Sequence, residues 1–260
     1  MKRITSRENP LFREALKVGQ SSRERRKSRK TVLDGLHLLE AYVASGGKPE
    51  AVLLSGRGAT DSEIVAYLRA HPELPVMQLA DTLFQELAQV VTPTGVLSLV
   101  ASPEPEPLPK KIENCLLLED IQDTGNLGSI LRTAAAAGIR QVFLSAGCAF
   151  AWSPRVLRAG MGAQFKLHVW EAVDLVEIAR SFQGTVLATA LRSRKSVYAE
   201  DLRGPTAWIF GNEGTGISDA LLAAATRKVE IPMPGKTESL NVAAAVAVCL
   251  YEQVRQRIAK

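Results

Sequence analysis

Three stretches of this chain carry polar residues of catalytic type directly after apolar runs. The first, Asp123 to Gly128, leads into a helical pattern that holds Arg132. The second is Gly211-Asn-Glu-Gly-Thr-Gly-Ile-Ser218. The third runs from Ile231 through Pro232, Pro234 and Gly235 to Leu240. In open parallel sheets, ligand sites form outside the carboxyl ends of strands, so all three loops can meet at one edge. Arg132 has apolar neighbours in Ile130, Leu131 and Ala134 to Ala137. A guanidinium held close to protein needs anions or acceptors. A surface arginine, or one paired with Glu119 or Asp120, is the alternative. Glu213 is a carboxylate inside a tight glycine turn. In the third loop the prolines and glycine exclude strand and helix, and Ser239 is placed to cap a helix beginning just after it. Val242 to Leu250 is apolar without a break, which predicts a helix buried on every side. An ordinary strand–loop–helix connection would share these features of shape.

Several chemistries are excluded. Gly211 to Ser218 has two glycines at the phosphate-loop separation, but Ile217 stands where that loop requires lysine. No GxGxxG follows the first strand of the second half, as a Rossmann-type enzyme would want. Cys115, Cys148 and Cys249 lie far apart among apolar residues, and an odd count argues against a disulfide framework. They read as small core residues of a reducing compartment. His37, His71 and His168 form no cluster with them, so no metal is expected.

The elements that must position these loops alternate along the chain. The pattern predicts helix Leu11–Val18, a segment Val32–Val43 with its last part helical, strand Ala51–Ser55, helix Asp61–Ala70, strand Val76–Leu79, helix Asp81–Val90 and strand Val96–Ala101. Asp61 and Asp81 suit helix starts. Residues 102–111 begin Ser-Pro-Glu-Pro-Glu-Pro-Leu-Pro, an extended spacer that separates domains 1–101 and 112–260. Beyond it come strand Cys115–Leu118, a loop over 122–128 opening helix Ser129–Ala137, and strand Gln141–Ser145. A short helix carries Arg155 and Arg158 and is broken at Gly160-Met-Gly162. A helix near Leu175–Phe182 comes next, then strands Thr185–Leu191, Ala207–Phe210 and Lys228–Ile231, and a helix from about Ser239 to Ile258. Strands separated by helices make this an α/β protein.

The 260 residues suffice for two domains with real cores. A net charge of +5 is concentrated at the start, where residues 1–30 hold eleven Lys or Arg against three acids. Such an excess suits a polyanion. Ser21 to Lys30 is polar and unperiodic and reads as a flexible arm that orders on RNA. Arg25, Arg26, Lys27, Arg29 and Lys30, with Arg158 farther on, are the RNA-contact candidates. The N-terminus lacks the apolar core of a secretory signal, and the longest apolar run is too short to span a bilayer, which needs ~20 residues. A cytoplasmic location is expected.

Asn126–Gly138, Gly211–Ser218 and Ile231–Glu252 resemble the three motifs of the SpoU (TrmH-like) RNA ribose methyltransferases, of the SPOUT class. Val32–Val43 and the α/β pattern through residue 101 resemble that family's substrate-binding domain, related to ribosomal protein L30e. The resemblance covers nearly the whole chain. It departs at Arg158-Ala-Gly160, where family members often have Arg-Ala-Ser. It implies an N-terminal L30e-like domain, a C-terminal SPOUT domain with a mainly parallel sheet whose chain end threads a trefoil knot, and a homodimer formed through that domain. It further implies S-adenosylmethionine in a pocket formed by Thr189, Ala190, Leu191, Gly211, Ile231, Met233 and Leu240. Arg132 is the family's catalytic position, with Asn126, Glu213, Ser239 and Asn241 as organising and hydrogen-bonding groups. The activity implied is 2′-O-methylation of ribose, with ribosomal RNA as the first substrate expected and transfer RNA as the second. A non-catalytic RNA-binding assembly factor is the rival from another class.

Overall fold

In the computed structural model, which describes residues 1–88, 93–190, 193, 195–235 and 237–258, the strands are β1 (Lys2–Ile4), β2 (Lys30–Asp34), β3 (Ala51–Leu54), β4 (Val76–Leu79), β5 (Val96–Ala101), β6 (Cys115–Leu118), β7 (Gln141–Leu144), β8 (His168–Trp170), β9 (Thr185–Thr189), β10 (Thr206–Phe210) and β11 (Arg227–Val229). The helices are α1 (Pro10–Gln20), α2 (Ser22–Ser28), α3 (Leu36–Ala44), α4 (Ser62–Ala70), α5 (Asp81–Leu87), α6 (Thr124–Ala136), α7 (Pro154–Gly160), α8 (Leu175–Ser181), α9 (Asp219–Ala224) and α10 (Val242–Ile258). They form two compact units. One is Met1–Glu104 with Trp152–Phe165; the other is Pro105–Ala151 with Lys166–Lys260. The units part inside the proline-rich stretch. The short segment with α7 is grouped with the first unit, although the sequence places it far into the second half.

The first unit is built on a mixed sheet of order β1-β4-β3-β5-β2. β1, β4 and β3 run parallel, and β5 is antiparallel to both β3 and β2. Ala51 to Leu54 is buried along its whole length. Ala51 and Leu53 meet Phe12 of α1 and Phe84 of α5, while Val52 and Leu54 meet Leu39 of α3 and Ile64 of α4. A strand covered on both faces reads as a continuous apolar run.

One reading of this half is corrected and one element was not predicted. Lys2–Ile4 is a strand at the sheet edge. Ser21 to Lys30 is no loose arm: Ser21 caps α2 by accepting from the Glu24 N–H at 3.2 Å. As expected, Asp61 caps α4 and Asp81 stands at the start of α5, in its first turn. The Asp81 carboxylate also accepts from the Gly56 N–H at 2.7 Å. The end of the helix expected at Val90 lies outside the described residues.

The second unit carries an all-parallel sheet of order β11-β9-β10-β6-β7-β8. From β6 the chain moves outward through β7 to β8, then crosses to the other side to lay down β9, β10 and β11. The order therefore reverses between β6 and β10, the place where open parallel sheets put their ligand crevice. Cys115–Leu118 and Thr206–Phe210 are buried throughout. On one face Phe143 stacks on Trp170 at 4.7 Å, among residues of α8 and α9. On the other, α10 packs beside α6, and Trp208 Nε1 donates to Gln253 Oε1 at 3.0 Å. Burial pushes the Cys115 and Cys249 thiols up to about 12, so both stay protonated as core residues.

The sequence did not predict β8 or α9. Helix α6 begins at Thr124 rather than Ser129, because the Asp123 carboxylate accepts from the Asn126 N–H at 2.7 Å. Nor is α10 buried on every side. Val242, Val246, Cys249 and Leu250 face inward, whereas Ala244 is exposed and Tyr251 is 52% exposed.

Candidate active site

The three loops do converge. The Asn126 side-chain amide donates to Glu213 Oε1, and its oxygen accepts from Asn241 Nδ2 at 2.9 Å. One amide on the first turn of α6 thus joins the glycine-rich loop after β10 to the loop before α10. Asn241 also caps α10, accepting from the Ala243 and Ala244 N–H groups at 3.0 and 3.4 Å. This is the role expected of Ser239, which is exposed and lies two residues too early, before Leu240.

Beside this network lies a cleft of roughly 770 Å³. Its walls include Thr189, Ala190, Gly211, Ile231, Met233 and Leu240; Leu191, the remaining pocket candidate, lies outside the described residues. The Thr189 hydroxyl donates to Ile209 O at 3.2 Å and the Ala190 N–H to Val229 O at 2.9 Å. Those two donors serve the sheet. The absence of a side chain at Gly211 is required by the loop itself, since a Cβ there would stand 2.3 Å from Gly216 O. Close approach of a ligand is not needed to explain that glycine.

Residues 113–251 match the model of the SpoU rRNA Methylase family. The chain belongs to the SpoU family. Over 98% of its length it is 33% identical to an uncharacterized tRNA/rRNA methyltransferase of Synechocystis sp., covering 94% of that relative. It is 29% identical to the 23S rRNA (guanosine(2553)-2′-O)-methyltransferase RlmP of Bacillus subtilis, over 96% of this chain and 98% of the relative. Among solved structures it resembles an RNA 2′-O ribose methyltransferase with TM-score 0.83 and 28% identity, covering 98% of this chain and 99% of that one. It also resembles an AdoMet-bound rRNA methyltransferase from Sinorhizobium meliloti with TM-score 0.83 and 25% identity, covering 99% of each.

The cleft of this SpoU protein fits S-adenosylmethionine in its chemistry. Leu240 is a large apolar side chain 38% exposed at the cleft wall, with Ile231, Met233 and Val229 nearby to cover an adenine face. Glu213, Glu230 and Glu238 line the same cleft, and carboxylates suit a ligand that carries sulfonium and ammonium charges.

Arg132 sits apart from the Asn126–Glu213–Asn241 network. It lies on the exposed stripe of α6 with Gly125, Ser129 and Ala136. The reading of a guanidinium held close to protein, or paired with Glu119 or Asp120, is corrected. Among the described residues Arg132 makes no ion pair, so its charge is available to an incoming anion. Glu119 instead binds Ser218, and Asp120 accepts from the Ser145 hydroxyl at 2.6 Å.

The basic candidates of the first unit divide. Arg25 is buried, and its guanidinium donates to Val18 O and Gly19 O at 2.9 and 2.8 Å, closing the end of α1. Burial, then Arg26 and Arg155, hold its pKa below the ordinary arginine value. Lys30 bridges Glu14 and Glu50, Arg29 pairs with Glu104, and Arg158 pairs with the buried Asp34 at 2.5 Å. Arg26 and Lys27 are exposed, as is Arg155, a cation near Arg25 that the RNA-contact expectation omitted. At Gly160, where the family often has serine, an added Cβ would meet Gln164 Oε1 at 2.6 Å. The fully buried Gln164 amide fills the space that a side chain at 160 would need.

Proposed function

We propose that this protein methylates the 2′-hydroxyl of a ribose in ribosomal RNA, with S-adenosylmethionine as donor, in the cleft between the loops that follow β9, β10 and β11. The chain belongs to a family named for rRNA methylation, and the Bacillus subtilis relative and the RNA 2′-O ribose methyltransferase structure it resembles are named for 2′-O transfer. The observation that carries the site is the bridge from Asn126 to both Glu213 and Asn241, because it brings the three family motifs to one edge of the cleft. Ribosomal RNA is preferred because the full-length Bacillus subtilis relative is a 23S rRNA enzyme.

Bound S-adenosylmethionine supplies a methyl group on a sulfonium, already a good leaving group. The protein's part is to hold the ribose oxygen in line and to favour its loss of a proton. A guanidinium offers only donors, so Arg132 acts here by charge and hydrogen bonding rather than as a base. It holds the target's phosphate and stabilises negative charge developing on the 2′-oxygen. Asn126 fixes the Glu213 carboxylate, and Asn241 fixes Asn126 while starting α10. Calorimetric titration with S-adenosylmethionine, followed by methyl transfer to ribosomal and to transfer RNA, tests the reading. Transfer to ribosomal RNA supports it, and transfer to tRNA alone reassigns the substrate.

The exposed face of α10 supports a second element of this proposal, a homodimer built through the second unit. Ala244 and Tyr251 lie on that face, and Ala136 is exposed on neighbouring α6. Small residues permit close helix packing, and an exposed tyrosine supplies contact area.

A further inference from the structure

We propose that Glu119 is a positioning residue for methyl transfer: its carboxylate clamps Ser218 and so fixes the loop that carries Glu213 and walls the cofactor cleft. The inference rests on reading that cleft as the S-adenosylmethionine site.

Glu119 is the first residue after β6, and its backbone N–H continues the sheet by donating to Phe210 O at 2.9 Å. Its side chain takes both donors of one residue. The Ser218 N–H donates to Oε2 at 2.7 Å, and the Ser218 hydroxyl donates to Oε1 at 2.7 Å. Hydrogen bonds to an ionised carboxylate are short and about twice as strong as neutral ones. Ser218 already caps α9 by accepting from the Leu221 N–H at 3.4 Å, so capping does not call for an acid here.

The other end of the loop is tied to the next residue of the same strand end. Asn212 Nδ2 donates to Asp120 O at 2.9 Å, while Asn212 Oδ1 accepts from the Gly214 and Thr215 N–H groups at 2.8 and 3.2 Å. Asp120 is itself held in the left-handed region at φ 54°. The Ser145 hydroxyl donates to its carboxylate, and Gly147 lies so close that a Cβ there would stand 2.2 Å from Asp120 Oδ1. Both ends of the loop are therefore referred to two consecutive residues at the end of β6. Helix α6, which bears Asn126, starts from the same strand through Asp123. Glu213 meets Asn126 because the two segments share this reference.

Glu119→Gln is the test. It keeps shape, removes the charge and replaces one acceptor with a donor that faces a donor. In the ligand-free protein, backbone amides of residues 213–218 should exchange hydrogen at least tenfold faster, with those of β7 and α8 unchanged. The KM for S-adenosylmethionine should rise about tenfold, while kcat at saturation and the KM for RNA change less than threefold. Ser218→Ala keeps the backbone bond and should give a smaller change. In cofactor KM the double variant should match Glu119→Gln within twofold, because both reach the cleft through one contact, while the α9 cap that Ser218→Ala also removes reads in the melting temperature. Unchanged exchange in the loop, an unchanged cofactor KM, or additive losses in the double variant would each overturn the proposal. Equal losses for cofactor and RNA together with a lowered melting temperature would also overturn it, reducing Glu119 to fold support. If the wild-type protein binds no S-adenosylmethionine, the functional reading has failed, and the exchange result still shows whether the clamp exists.

Discussion

Asn241 Nδ2 donates to Asn126 Oδ1 across 2.9 Å, although 115 positions separate them in the chain. The same Asn126 amide donates from its nitrogen to Glu213. Only a side chain that is both donor and acceptor can serve these two neighbours. Asn126→Asp keeps the size and loses the donor, setting a carboxylate against Glu213. At neutral pH the variant should lose at least about tenfold in cofactor affinity, the equivalent of ~1.4 kcal/mol. Calorimetric titration with S-adenosylmethionine reads this directly, and an unchanged affinity goes against the bridge.

Arg132 is exposed and without an ion pair among the described residues, so its removal should leave the fold and the cleft intact. Arg132→Ala should slow single-turnover methyl transfer by ~10²–10³, as for other preorganised charge stabilisers. Its effect on cofactor affinity should stay under about tenfold. Leu240→Arg should do the reverse, placing a cation in an acidic cleft built for an apolar face and weakening the cofactor first. Circular dichroism establishes that each variant folds.

Arg25 and Lys27 stand two residues apart on α2 and should behave as opposites. Arg25→Ala removes the guanidinium that donates to the Val18 and Gly19 carbonyls at the buried end of α1, which costs about 1–3 kcal/mol of stability. Lys27→Ala and Arg155→Ala should leave the melting temperature alone and weaken RNA binding. Each phosphate contact removed should lower the salt slope by ~0.7–0.9. An Arg25→Ala protein that melts normally but binds RNA poorly would return Arg25 to the interface.

Tyr251→Glu on the outer face of α10 should lower the mass measured by light scattering from two chains to one at micromolar concentration. Substitution at buried Leu250 would unfold the chain instead, so only the outer residue is informative. A wild-type protein that already weighs one chain removes the dimer.

Much of this was legible in the sequence. Runs such as Cys115–Leu118 and Ala51–Leu54 announce strands buried on both faces, and proline and glycine mark the loops between them. The same physics hid other parts. Asp123 captures the Asn126 N–H and draws Thr124 to Gly128 into helix, although glycines at 125 and 128 signal a loop. Arg25 looks like an RNA contact by composition, and only the path of α1 shows that it closes a helix end. Ser239 and Asn241 are both capping residue types, and their choice depends on which one can also reach Asn126. Glu119 was visible as an acid after an apolar strand, but its partner lies 99 residues later. No local pattern records such a pairing.

Incubating the purified protein with ribosomal RNA and methyl-labelled S-adenosylmethionine, then digesting the RNA to nucleosides, tests the assignment of ribose 2′-O-methylation. Label should appear in a 2′-O-methylated nucleoside and fall at least about a hundredfold with Arg132→Ala. Label on a base, or no transfer from a protein that binds the cofactor, would contradict it.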